Sequence, residues 1–367
     1  MMDRMALDDT THPHAANRSE AGDGVSAPIT TVRAREIAAD DRMAGDFAAL
    51  TAGGQPVVIR GLVKDWPLVA AGLRSPQAAV DHLLGFYNGR PGTGYTADAA
   101  HGGRYFYDAT VTRLDFDGER VGLDDYLARM LAALGDAQAP SFYVGSTDLD
   151  QFFPGLADGN PLSLADLAPA TLLRSIWIGT RTTAAAHYDQ ANNIACVAVG
   201  RRRFTLFPPD QVANLYPGPL APTPGGQVVS MVDFRAPDLA RFPDFAHAVD
   251  AAQVAELGPG DAVVYPAMWW HHVEALDPFN VLVNYWWNTA PDFMDTPMNT
   301  VLHALLSLRD RPAAEKAAWR TIFDYYVFGD AARPAAHLPP GAQGPLAPLD
   351  DIAARRLRAE LLRKLNR

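Results

Sequence analysis

The sequence predicts a mainly β protein, a sandwich or jelly-roll barrel with flanking helices, and three observations carry that prediction. Short β-branched or aromatic runs, LLRSIWIG, NIACVAVG, RRFTLF, QVVSMVDF, AVVYPAMWW and NVLVNYWW, are separated by Pro, Gly and Asp turns, which is the punctuation of strands. These runs do not alternate with helical segments, so the rhythm of a doubly wound parallel sheet is missing. Beyond Pro291 the apolar spacing becomes helical.

Taken in order, residues 1–27 are polar and lack apolar periodicity, and are expected to be a disordered leader. Order is expected from Pro28, with a helix through AADDRMAGDFAALTAGG that stops at Gly53 and Gly54. QPVVIRGLVKDWPLV supplies a short buried strand and an aromatic-proline turn. Residues 90–112 mix Gly-rich turns with Tyr95, Arg104, Tyr105 and Tyr107, which suits strands and loops at a barrel mouth. LDDYLARMLAALG has helical spacing, and SFYVGST returns to strand character before the β-rich stretch, which runs to about residue 290. The barrel domain is thus expected over 28–295 and a helical region over 296–367. In that region MNTVLHALLSLRD and PAAEKAAWRTIFDYYVFGD are followed by the Pro-rich HLPPGAQGPLAPL and the basic amphipathic helix DIAARRLRAELLRKLNR. Two roles are open for these helices: a dimer interface, or caps on the open end of the barrel.

Composition narrows the function classes. With 48% hydrophobic and 20% charged residues the chain is expected to be soluble and globular, and it has no apolar run of the roughly 18 residues that a membrane span needs. A net charge of −11 argues against a phosphate backbone as main partner, and Arg201, Arg202 and Arg203 are too few for a nucleic-acid patch. In a strand the middle arginine faces opposite to its neighbours. The single cysteine, Cys196, cannot form an internal disulfide and reads as a small buried core residue. With no secretory h-region at the amino terminus, cytoplasmic residence is expected.

The chemistry is concentrated in His187, Asp189 and His271. In the strand of AAAHYDQANN, positions i and i+2 point to one face, so an imidazole and a carboxylate can reach the same point. The third group follows a Gly-Pro-Gly turn and an apolar strand in GPGDAVVYPAMWWHHVEAL. Two neutral imidazoles and one carboxylate on one octahedral face leave three positions open, the ligand set of non-haem Fe(II) oxygenases.

HYDQANN, GRRRFTLFPPDQVANLYPGP, VDFRAPDLARFPDF, GPGDAVVYPAMWWHHVEA and VNYWW together resemble the cupin-like JmjC family of 2-oxoglutarate-dependent oxygenases, its asparaginyl hydroxylases above all. The resemblance covers residues 28–300 approximately. It implies a double-stranded β-helix with iron held by His187, Asp189 and His271, and with His272 turned away from the metal. It also implies that Arg202, two places after Gly200, and Tyr143 hold the distal carboxylate of 2-oxoglutarate, with Asn193, Asn284 and Trp286 lining the pocket. Related hydroxylases dimerise through C-terminal helices, which implies a homodimer.

Two departures stand out. Ala184 replaces a hydroxyl residue common three places before the first histidine, leaving open whether Thr183 supplies that group. Gln227, Val228 and Val229 stand where the asparaginyl hydroxylases grip their target amide. The activity implied is hydroxylation of a C–H of a polypeptide side chain, consuming dioxygen and 2-oxoglutarate and releasing succinate and CO2. Hydroxylation of a small molecule or an RNA base, and a non-catalytic binding module, are the alternatives.

Overall fold

The computed structural model describes residues 32–167 and 172–366; the expected leader, residues 1–27, lies outside them. The described chain forms strands β1 (Val32–Arg33), β2 (Arg35–Ala38), β3 (Val57–Arg60), β4 (Gly92–Ala97), β5 (Arg104–Tyr105), β6 (Phe116–Val121) and β7 (Ser141–Asp148). There follow β8 (Leu173–Gly179), β9 (Thr183–Tyr188), β10 (Asn192–Val199), β11 (Arg202–Phe207), β12 (Gln253–Leu257), β13 (Ala262–Tyr265), β14 (Trp270–Ala275) and β15 (Asn280–Trp287). They build a six-stranded sheet in the order β1-β12-β11-β14-β9-β5 and a nine-stranded sheet in the order β2-β3-β13-β10-β15-β8-β7-β4-β6. Successive strands from β8 to β11, and again from β13 to β15, pass from one sheet to the other, which is the winding of a double-stranded β-helix.

Alternation along these strands makes the core. Phe204 and Leu206 of β11, Ala255 and Leu257 of β12 and Val273 of β14 meet Ala195 and Val197 of β10, Val263 and Tyr265 of β13 and Leu282 of β15 between the sheets. The opposite face of the large sheet buries Val57, Ile59, Ile194 and Cys196. Against it pack helices α1 (Phe47–Ala52), α2 (Pro67–Arg74), α3 (Pro76–Leu84) and α4 (Leu123–Ala132). Burial pushes the Cys196 thiol up from its ordinary value, as a core cysteine requires. Outside the small sheet, Ala186, Phe207 and Trp270 bury against Leu215, Val232, Phe242 and Phe245 of the segment between β11 and β12.

Two expected elements differ. The helix expected from Ala38 to Gly54 is confined to α1, capped by the Asp46 side chain. Upstream, residues 35–38 spend their backbone groups on a parallel ladder with β3. The run QVVSMVDF is not a strand but makes isolated bridges, Val229 with His187 and Ser230 with Pro217. Its two bridging residues pair with different elements, so no continuous ladder can propagate. After the short helices α5 (Leu149–Phe152), α6 (Leu156–Gly159) and α7 (Phe245–Asp250), the chain ends in α8 (Pro297–Ser307), α9 (Ala313–Phe323) and α10 (Asp351–Leu365). The α9 helix passes into a π-helical turn over Asp324–Phe328, and neither α8 nor α9 has a buried residue.

Candidate metal centre

β9 and β14 are antiparallel neighbours in which His187 stands directly opposite His271, so both imidazoles project to the same face. The rings lie 4.2 Å apart between centroids, and His271 Nε2 is 3.6 Å from Asp189 Oδ2. One ligand atom from each of His187, Asp189 and His271 falls within 4.8 Å of the others, the one such group among the described residues. The carboxylate sits just past the end of β9, where the backbone is pinned from the facing turn. Met268, in left-handed backbone (φ 68°), donates its N–H to the Asp189 carbonyl at 2.8 Å, and Asn192 Oδ1 accepts from the Ala267 amide at 3.0 Å.

The backbone also orients both rings. His187 Nδ1 lies 2.8 Å from the Ala185 carbonyl and His271 Nδ1 lies 3.0 Å from the Trp269 carbonyl. A carbonyl only accepts, so each Nδ1 carries the proton and each Nε2 keeps its lone pair for a metal. Burial, reinforced by His187 alongside, pushes His271 down to about 4, so its imidazole is neutral at physiological pH. His272 is buried on the other side of the sheet, stacked on Phe234 at 4.3 Å.

A bulge adjusts the register. His271 pairs with His187 but Val273 pairs with Ala184, so β9 spends three residues where β14 spends two. Ala184 and His187 therefore share the inner face despite their odd separation. Thr183 points elsewhere: its hydroxyl accepts from Arg235 Nη2 at 2.6 Å. It does not replace the hydroxyl that Ala184 lacks.

Further into the barrel a polar row runs along the large sheet. Asn193 donates to the Tyr265 hydroxyl at 2.7 Å, Asn284 approaches Asn193 Oδ1 at 3.4 Å, and Trp177 Nε1 donates to Asn284 Oδ1 at 2.8 Å. Tyr265 closes the row at the metal end, its ring 4.9 Å from that of His271. Trp286 packs edge-on against Trp177 with its Nε1 unpartnered among the described residues. Tyr143 stacks between Trp177 and Tyr105, and burial raises its hydroxyl to about 12.

Across from Tyr143 lies Arg202, delivered by the β10–β11 turn in which Gly200 takes a φ of 72° that a side chain would resist. Arg201 and Arg203 pair with Asp277 and Glu256 at the surface, whereas Arg202 is 3% exposed and its Nε and Nη2 have no partner among the described residues. Burial pulls its guanidinium below the ordinary value, with Tyr143 opposing. An unpaired buried guanidinium is costly and calls for an anion, and its flat fork matches a carboxylate. The donor set at the other end, two imidazoles and a carboxylate, fits a divalent iron. Trp177 and Tyr265 escaped the sequence reading because aromatic residues in apolar strands are read as core; only the inward register of β8 and β13 separates them from it.

The family model described as a cupin-like domain matches residues 44–293. Among curated proteins the chain is similar to lysine-specific demethylase JMJ31 of Arabidopsis thaliana, 32% identical over 128 residues, which are 33% of this chain and 23% of that protein. It is similar to HSPB1-associated protein 1 of Homo sapiens, 35% identical over 122 residues, covering 33% and 24% of the two chains. It is similar too to tRNA wybutosine-synthesizing protein 5 of Danio rerio, 32% identical over 105 residues and 29% of each chain. The chain thus spans roughly a quarter of the length of these curated relatives.

Proposed function

We propose, from the premise that this chain belongs to the cupin-like domain family, that it is an Fe(II)- and 2-oxoglutarate-dependent dioxygenase hydroxylating a C–H of a polypeptide side chain. The observation that carries the reading is the pairing of two features inside one barrel: the His187–Asp189–His271 group and the buried, unpartnered Arg202 guanidinium. With iron, 2-oxoglutarate and dioxygen supplied, the chemistry is oxidative decarboxylation to succinate and CO2 coupled to substrate hydroxylation. The chain's own residues bind and orient. His187 and His271 offer Nε2 lone pairs held in place by backbone carbonyls, and Asp189 brings the negative charge. Arg202 and Tyr143 receive the distal carboxylate through charge-assisted hydrogen bonds. Asn193, Asn284 and Tyr265 hold one another in fixed rotamers along the pocket, while Trp177, Trp286 and Trp269 exclude water around it.

The similarity to a tRNA wybutosine-synthesizing protein favours an RNA base as the second reading, and the net charge of −11 opposes it. The presence of all three ligand residues opposes a non-catalytic module. The test is succinate formation by purified protein with Fe(II), ascorbate and 2-oxoglutarate, together with a search for a 16 Da gain in candidate peptides and metabolites. A protein that holds iron but never forms succinate refutes the oxygenase reading.

We also propose that a second copy of the chain covers α8 and α9. Val301, Leu302, Leu306, Ile322 and Phe328 are all exposed, and helices of this length are marginal in water without an apolar face to bury.

A further inference from the structure

We infer that the residue presented to the metal is an aliphatic side chain of the leucine, valine or methionine class, and not an amide, carboxylate or ammonium; the inference rests on the oxygenase reading above and narrows it. Val229 lies opposite His187 in the antiparallel bridge, and partners across such a bridge project to the same face. The immediate neighbour of that ligand on the metal face is therefore an isopropyl group, 5% exposed. Phe106, Tyr107 and Ala185 are buried around it, with Val111, Leu114 and Met231 packed against them.

The hydroxyls near this wall already hold partners outside it. Tyr107 donates to the Pro222 carbonyl at 2.9 Å, Thr183 accepts from Arg235 at 2.6 Å, and Ser230 accepts the Val232 amide at 3.2 Å. A polar group lodged against Val229, Phe106 and Ala185 would lose water and find no partner on those side chains, which costs it about tenfold to a hundredfold in kcat/KM against an aliphatic group of the same shape. In the hydroxylation one atom of dioxygen enters the C–H bond to give an alcohol and the other enters succinate. The four electrons that reduce dioxygen come two from that C–H bond and two from 2-oxoglutarate, which loses its 1-carboxylate as CO2.

The test uses the full-length, Fe(II)-loaded enzyme with degenerate nonapeptide pools whose central residue is Leu, Val, Asn, Asp or Lys; Leu and Asn differ little in shape. Succinate above the peptide-free rate and a 16 Da gain at the central residue are read together. Binding of the same pools to protein loaded with Mn(II), by fluorescence anisotropy, gives a readout independent of turnover. The Leu or Val pool should exceed the Asn, Asp and Lys pools about tenfold in both readouts. Val229→Thr, which keeps the shape and adds one hydroxyl, should narrow that gap, and Val229→Gln should narrow it further. Preference for a polar pool, equal response to all pools, no stimulation by any pool, or an unchanged gap in Val229→Thr overturns the inference while leaving the oxygenase reading intact. Absence of succinate in every arm, peptide-free included, refutes that reading and this inference with it.

Discussion

Replacing Arg202 with methionine separates two effects of opposite sign. The guanidinium is 3% exposed, with Nε and Nη2 unpartnered among the described residues, so the protein without cosubstrate carries an uncompensated buried charge. A methionine of similar volume removes that charge and should stabilise the cosubstrate-free protein by about 1 to 4 kcal/mol. At roughly 1.3 °C per kcal/mol for a chain of this length, the midpoint of thermal unfolding should rise by about 1 to 5 °C. With 2-oxoglutarate the order reverses. Charge-assisted hydrogen bonds contribute about 1.5 to 3 kcal/mol, so Arg202→Met, like Arg202→Ala, should bind 2-oxoglutarate roughly tenfold to two hundredfold more weakly. Saturating 2-oxoglutarate should raise the midpoint of the parent protein and barely move that of the variant. Titration calorimetry gives the affinity and scanning calorimetry the midpoints, with metal content checked in both proteins. A variant that binds 2-oxoglutarate as tightly as the parent, or that is less stable without it, refutes the assignment of Arg202 as the carboxylate anchor.

Three further outcomes are expected. Asp189→Ala removes the anionic ligand and should abolish both bound iron and succinate formation; His271→Ala should lose iron and His272→Ala should keep it, and metal analysis showing the reverse for the two histidines disproves the ligand set. Because burial holds His271 at about 4 in the fold against an ordinary 6.5, the unfolded chain takes up a proton below pH 6.5 that the folded chain refuses. Stability of the metal-free protein should therefore fall as pH drops from about 6.5 towards 4, by on the order of 3 kcal/mol from this group, and denaturant unfolding at pH 7 and pH 5 reads the slope. Finally, charged residues at Ile322 and Tyr326, both exposed on the C-terminal arm, should convert a dimer to monomers in light scattering; a single-chain mass for the unmodified protein at micromolar concentration rules out the dimer.

Several features of the site were legible along the chain because they are local. The spacing of His187 and Asp189 reads as one face of an extended segment, and Asp189 stands one residue past the end of β9 beside that histidine. The alternation of Arg201, Arg202 and Arg203 puts the middle one inside, as the surface pairs of its neighbours show. Strands β8, β10, β11, β13 and β15 and helices α4, α8 and α10 follow from side-chain periodicity and turn residues, which act within a few positions. The limits of such reading appear where a segment's backbone has a distant partner. The helix expected from Ala38 to Gly54 shrinks to α1 while Ala38 joins the ladder that residues 35–38 form with β3, and QVVSMVDF reads as a strand although its two bridging residues pair with separate elements.

The sequence by itself determined the run of short strands and the pairing of His187 with Asp189, because periodicity, turn chemistry and residue type are properties of neighbouring positions, whereas the β-helical winding and the place of Arg202 were implied by the family resemblance. Only the tertiary structure decided that Ala184, three residues from His187, shares its face, since a bulge is defined by the partner strand. It alone turned Thr183 towards Arg235, brought Tyr265 of β13 to the ring of His271 and set Val229 beside His187. Each of these joins residues far apart in the chain, and such contacts form only when sheet pairing and burial of the whole barrel select one register among the many that local preference allows.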